Sequence, residues 1–409
     1  MPSMPGHSST SEHIFHLPLI ASVQIKRVSN RICEDRAARW IATSYTLGAA
    51  GNRTAVAELS GRSVSYGYDN DYHLLSETIT SDPAGNNGSE TYTYDTVGNR
   101  LTLNSTIPSL SGANTYVYDS NDRLSTDTYD NDGNTTASVG ITNTYDFENH
   151  MLKHGSVSMV YDGDGNRVSE TAASVTTKYL VDTLNPTGYS QVLDELVSGA
   201  LTKTYTYGLQ RISENQLVSS TWTPSFYGYD GHGNVRFTTN TAGTVGNTYT
   251  FDAFGAVIAS TGTIANSYLY SGERFDSNLN LYQLRARYYN MLTGRFETMD
   301  PGKESCCALR ASQVGNIFDP ATLHKYVYAV NNPVNRIDPS GRGFLEEVDL
   351  ETETFETLVE RNRGTKLAQE TGEIFCQEAA ALYAVQNPLA TMWEIDLVYR
   401  YCLSTLILY

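Results

Sequence analysis

The chain has 409 residues, 40% of them hydrophobic, and a formal net charge of −17. That length holds one large core or two to three ordinary domains, and the hydrophobic share excludes disorder throughout. The acidic balance excludes nucleic acid as an expected partner, because phosphate capture needs clustered Lys and Arg, while 29 Tyr beside 12 Phe and 32 Gly predict aromatic strands and tight turns, hence a mainly β fold.

Residues 1–44 lack any repeat and are expected to pack irregularly. The apolar stretch Ile14 to Ile20 is interrupted by His16 and Pro18 and followed, not preceded, by Lys26 and Arg27, so it does not read as a secretory signal. Cysteine is scarce and odd in number (Cys33, Cys306, Cys307, Cys376, Cys402). No disulfide framework or zinc site follows from that spacing, and neither a cofactor nor a metal is expected.

From about Tyr45 to Tyr289 one unit recurs. Its best copies are YTYDTVGNRL at Tyr92, YVYDSNDRL at Tyr116, YDGDGNRV at Tyr161, YGYDGHGNVRF at Tyr227 and YTFDAFGAVIAS at Tyr249, with weaker copies at Tyr45, Tyr66, Tyr129, Tyr145 and Tyr205. In Tyr92-Thr93-Tyr94 the rings are two residues apart and share one face of a strand, where phenols stack and turn their hydroxyls to water or a partner. Gly98-Asn99, Gly133-Asn134, Gly165-Asn166 and Gly233-Asn234 supply residues that tolerate positive φ, as tight hairpin turns require. A second alternating run follows each turn, so the expectation is serial β-hairpins forming one curling sheet.

At Tyr268 the pattern becomes YLYSGERFDSNLNLYQLRARYYNMLTGRFETMDP, with Arg274, Arg285, Arg287 and Arg295 set among Tyr and Phe, where guanidinium groups stack on rings and fork to carboxylates. Gly302 to Asn316 reads as a polar loop or insertion, and HKYVYAVNNPVNRIDPSG closes the block at Gly341. A boundary is expected at Asp338–Gly341. The tail from Gly343 to Tyr409 carries twelve acidic and four basic residues, and Glu373 to Gln386 is its clearest amphipathic helix. The stretch from Trp393 is apolar but holds Glu394, Asp396 and Arg400, so no membrane span is expected.

These motifs resemble those of the RHS, or Tyr-Asp-repeat, proteins: the repeats resemble YD repeats, and the two blocks ending at Asn331–Gly341 resemble the RHS repeat-associated core domain. The resemblance covers Tyr45 to Gly341. It implies a spiralling YD-repeat shell or partial barrel over 45–267, a core domain over 268–341 that plugs it, and a variable C-terminal segment over 343–409. The implied partner is that segment, or an encapsulated effector, and the implied setting is a secreted or cell-surface protein of the polymorphic-toxin or teneurin-like kind. Family shells that enclose a payload are much longer, so the chain reads as a partial shell or the end of a larger protein.

Some members carry an aspartyl autoprotease in the core that cuts after the DPxG motif. Such chemistry needs two carboxylates sharing a proton, one activating water while the neutral one polarises the carbonyl. Asp300 and Asp319 are the candidate pair, and Asp338, Pro339, Ser340, Gly341 and Arg342 the candidate cleavage motif. Arg342 stands where the family usually has leucine, and the Gly302–Asn316 stretch lengthens the spacing. The alternative is that Asp300, Asp319 and Asp338 are turn residues before proline.

Three further sites have competing readings. Asp162-x-Asp164-x-Asn166 and Asp130-x-Asp132-x-Asn134 mimic the start of a calcium loop, but the glycine at position six and the glutamate at position twelve are missing, which favours hairpin turns. Arg285, Arg287 and Tyr288 form either an anion or sugar-acid site or a core ion-pair cluster. The Tyr faces, if exposed, form a cell-surface glycan- or protein-binding array. No histidine follows His324, so the tail holds no His-based catalytic centre and reads as a packing or interaction segment, with Cys376 and Cys402 as buried hydrophobes.

Overall fold

A computed structural model describes residues 43–300, 324–343 and 345–346. Asp319, the 302–316 stretch, the cysteines and the Glu373 to Gln386 helix lie outside the described residues. Among the described residues no helix is long and apolar enough to cross a membrane.

The repeats do form serial antiparallel hairpins, and strand order in each sheet follows chain order. They build two sheets rather than one: seven strands from Thr43–Leu47 to Gly112–Thr115, and fourteen from Thr128–Tyr129 to Val257–Thr261. At the junction the chain keeps only the isolated bridge Tyr118↔Leu124. Arg295 of the later block enters there, donating to the Asp122 carbonyl and lying 4.8 Å over the Tyr118 ring.

The aspartate of each repeat ties the turn. The Asp95 amide donates to the Asn99 carbonyl (2.9 Å) and the Gly98 amide to the Asp95 carbonyl (3.2 Å). Asp95 Oδ1 also accepts the Val97 and Asn99 amides at 3.0 and 2.8 Å. Asp69, Asp119, Asp146, Asp162 and Asp230 each accept the equivalent two amides. Burial opposes ionisation of Asp146 and Asp162, yet these donors hold both carboxyls below the usual range.

Only the glycine of each Gly-Asn pair takes positive φ, 93° at Gly98, which corrects the expectation for both residues. The asparagine stays out of that region and uses its amide instead, Asn99 Nδ2 lying 3.0 Å from Asp95 Oδ2. Tyr72, Asp122 and Asn149 occupy the glycine position elsewhere, at φ of 62–66°. A register shift marks the residue before the aspartate, as between Thr93 and Tyr94, and the bulge strengthens the local twist.

The tyrosines also correct the expectation. Their hydroxyls face inward and bond to backbone: Tyr68 donates to Arg53 O (2.6 Å), Tyr94 to Leu74 O (2.8 Å), Tyr118 to Arg100 O (2.8 Å), Tyr145 to Thr135 O (3.0 Å), Tyr161 to Met151 O (3.0 Å) and Tyr229 to Arg211 O (2.7 Å). Each acceptor is the first residue after the preceding turn, so each phenol staples its unit to the one before. Among the described tyrosines only Tyr72 is exposed. The outer face presents threonine pairs such as Thr93–Thr102 and Thr248–Thr261, which removes the surface that a tyrosine array for glycans needs.

The described residues of the later block, 268–300 and 324–341, pack against the inner faces of both sheets. A four-stranded sheet (Arg274–Asp276, Leu281–Leu284, Arg287–Asn290, Arg295–Phe296) carries Tyr282, Tyr289 and Phe296 into the main core with Tyr270 and Tyr328. Tyr289 and Tyr328 stack at 4.1 Å. Three of these phenols take three consecutive carbonyls of the last repeat turn: Tyr270 to Ala253 O (2.9 Å), Tyr289 to Phe254 O (2.7 Å) and Tyr282 to Gly255 O (3.0 Å). Tyr326 reaches Gly133 O at 2.8 Å and Asn331 reaches Gly98 O at 2.6 Å, so the block binds the turns of both sheets.

Candidate functional site

The tightest polar centre around the DPxG motif is built on Arg287. It starts the strand Arg287–Asn290; Asp300 lies four residues after the strand Arg295–Phe296, and Asp338 directly follows Arg336–Ile337. The Arg287 guanidinium is buried, with its carbon 3.6 Å over the Phe296 ring. Its Nη2 lies 3.2 Å from Asp338 Oδ2 and 3.4 Å from Asp300 Oδ2. Its Nε donates to the Gly341 carbonyl and its Nη1 to Lys325 O at 3.4 Å.

Asp338 is fully enclosed. Its Oδ1 accepts the Arg342 and Gly343 amides, both at 3.2 Å, and the Ser340 hydroxyl at 3.2 Å. Burial pushes its carboxyl above the ordinary range, against the pull of Arg287 and with a push from Asp300. Burial also lowers the Arg287 guanidinium. Gly341 has φ of 66°, and a Cβ there would sit 2.2 Å from Leu284 O, so only glycine fits this part of the motif. Arg285 ties the preceding segment, donating to Pro339 O, to Ser190 O at 3.2 Å and to Glu273 Oε1 at 2.9 Å.

Thus Asp300 shares one guanidinium nitrogen with Asp338, while Asp319 lies outside the described residues. Arg285 and Arg287 are engaged by carboxylates and carbonyls, and the Tyr288 hydroxyl lies 3.1 Å from that of Tyr161, as the ion-pair and stacking reading expects. Asp162 spends its oxygens on its own turn. Asp146, Glu148 and His150 bring ligand atoms within 4.8 Å of one another, but Asp146 again serves its turn amides and the His150 ring.

Sequence reasoning missed a set of buried glutamates. Glu77, Glu90, Glu170, Glu195 and Glu214 are all buried, and Tyr92, Tyr205 and Tyr227 donate to Glu90, Glu195 and Glu214 at 2.6, 2.8 and 2.8 Å. The signal was present. Glu90, Tyr92 and Tyr94 alternate in phase, which puts the acid on the same face as the phenols.

No family model matches the chain. It is 32% identical over 270 residues to the tRNA3(Ser)-specific nuclease WapA of Bacillus spizizenii, spanning 61% of this chain and 11% of that protein. It is 30% identical over 268 residues to the tRNA nuclease WapA of Bacillus subtilis (strain 168), again spanning 61% of this chain and 11% of the relative. Among solved structures, TcdB2-TccC3 without its hypervariable C-terminal region matches with a TM-score of 0.57 at 18% identity, over 74% of this chain and 17% of that one. A Photorhabdus luminescens Tc holotoxin pore with a mutated TccC3 gives 0.57 at 19% identity over the same shares.

Proposed function

Because the chain is an RHS/YD-repeat protein, we propose that it is a shell segment of a polymorphic toxin, secreted or carried at a cell surface, that encloses or presents the residues beyond Gly343. In this reading 45–267 is the wall, 268–341 the plug and 343–409 the variable segment. The observation that supports it is the capture of turn carbonyls of both sheets, at Gly98, Gly133 and Ala253–Gly255, by side chains of the later block. The small share of the relatives that the chain spans supports a segment of a longer wall. The named activities of those relatives belong to proteins mostly outside the match.

Brief trypsin treatment tests this. The wall is expected to survive while tail sites at Arg361, Arg363 and Lys366 are either cut at once, if the tail is presented, or spared until the wall unfolds, if it is enclosed. Digestion within 45–267 as fast as in the tail would contradict the shell.

A second reading is favoured by the Arg287 centre: self-cleavage between Gly341 and Gly343 by Asp300 with Asp338, the two carboxyls that meet on one guanidinium. In this reading Asp338, whose carboxyl burial pushes upward, supplies the acid; Asp300 activates water; Arg287 polarises the Gly341 carbonyl. Intact-mass measurement of the fresh protein is expected to show a break at Gly341–Gly343 that is absent in Asp300→Asn. A wild-type chain that stays whole, or an Asp300→Asn chain that still breaks, excludes this chemistry.

A further inference from the structure

A cavity of about 60 Å³ lies where the hairpin around Arg53–Arg62 meets the turn Asp230–Arg236 and the segment Pro333–Val334. Arg62, only 5% exposed, lines it. Its Nη1 bonds Glu58 Oε1 at 2.8 Å, and the same oxygen receives Arg236 Nη2 at 3.0 Å. One carboxylate oxygen thus serves two guanidinium groups.

The other side of Arg62 is unsatisfied. Nε and Nη2, the parallel donor pair that forms a fork with an oxyanion, are both buried without a hydrogen-bond partner. Thr43 Oγ1, also lining the cavity, is a third buried polar atom in that state. Buried donors left unpaired cost about 1–3 kcal/mol each, more when charged, so three around one void call for an occupant. The volume exceeds what one water needs and fits a small ion or a few waters.

The geometry points to a binding site for one small oxyanion, a phosphate or carboxylate group, held by the Arg62 Nε/Nη2 fork and Thr43 Oγ1. Asp252 also lines the cavity; burial, with Glu90 and Glu77 beside it, holds its carboxyl well above the ordinary range, which limits its repulsion of an anion. The cavity lies beside the point where the first sheet meets the second and the plug, through Glu58, Arg53 and the Asp230 turn.

Calorimetric titration of the full 409-residue chain with inorganic phosphate, and separately with acetate, in chloride buffer of constant ionic strength tests the site. One saturable site per chain is expected, with a rise in Tm that saturates over the same range. Arg62→Lys, which keeps the charge but loses the fork, weakens binding about tenfold or more, and Thr43→Val weakens it less. Phosphate binding without acetate marks a free tetrahedral ion, and binding of both marks a general carboxylate or phosphate site. No saturable heat with either ion, or equal binding in wild type and both variants, shows a cavity that holds only water and overturns the proposal.

Discussion

Arg167→Met lowers the stability of the folded chain by about 3–5 kcal/mol, the usual consequence of stripping the partner from a buried charge. Arg167 follows the Asp162 turn in the wall and reaches into the plug. Its Nη1 lies 2.5 Å from Asp276 Oδ2, 3.1 Å from Glu170 Oε2 and 3.3 Å from the Tyr288 hydroxyl. Burial works against ionisation of Asp276, but Arg167 outweighs it and holds the carboxyl low, while burial and the Asp276 hydrogen bond raise Glu170. Arg167 Nη1 thus pairs with both acids at once. Without it, a buried anion is left among Met159, Leu281 and Tyr288.

The pairing is separable by a second substitution. Arg167→Met with Asp276→Asn removes both charges and is expected to recover more than half of the loss, because the penalty lies in the orphaned carboxylate rather than in the missing bridge. Urea unfolding of the wild type, both single variants and the double variant measures it. A loss below about 1 kcal/mol in Arg167→Met would mean that wall and plug do not meet through this centre.

Glu77→Gln gives a pH-dependent gain. Glu77 sits directly across the ladder from Glu90, both 1% exposed, and its Oε2 accepts the Ala253 amide at 2.7 Å. Burial, with Glu90 adding, pushes its carboxyl up to about 8, against the pull of Arg62. The folded chain therefore keeps a proton that the unfolded chain releases above the ordinary glutamate range near 4.5. The stability tied to that proton is whole below about pH 4.5 and is lost as pH rises through about 8, at most about 4–5 kcal/mol across the window.

Burial pushes Glu297 up to about 7 and Asp252 well above its range, which adds to the same slope. His324 opposes it at the acid end, since burial and Arg295 hold its ring down to about 4. Glutamine keeps an acceptor for the Ala253 amide and cannot ionise. The variant is thus expected to match the wild type near pH 5 and exceed it by about 2–4 kcal/mol at pH 8 in urea unfolding. An equal difference at both values contradicts a proton held at Glu77.

The hairpins were legible because two local periods agree: alternating aromatic residues, then Asp and Gly at fixed offsets. Direction was not. Period two places Tyr92 and Tyr94 on one face but does not say which face is covered, and only the plug decides that. Arg295, which occupies the break between the two sheets, comes from about 170 residues beyond the junction, a separation that no strand pattern reports. The same holds for the Arg287 centre. Asp300 and Asp338 are brought together by chain on both sides of the 301–323 stretch, a proximity that the spacing of the Asp-Pro pairs does not show, while Asp319 lies outside the described residues. Arg287 itself was in view as one of a group of arginines, but its two carboxylate partners were not.

The repeat phenols point inward and staple successive turns, and a spectrophotometric titration of tyrosine reads that orientation. Burial raises Tyr92, Tyr145, Tyr161, Tyr205, Tyr227, Tyr270 and Tyr289 well above the ordinary phenol value. The expected record has a small reversible step near pH 10, then a large cooperative rise coinciding with loss of the β signal. Reversible ionisation of most of the 29 tyrosines near pH 10, with the sheets intact, would show the phenols to be outside and contradict the account.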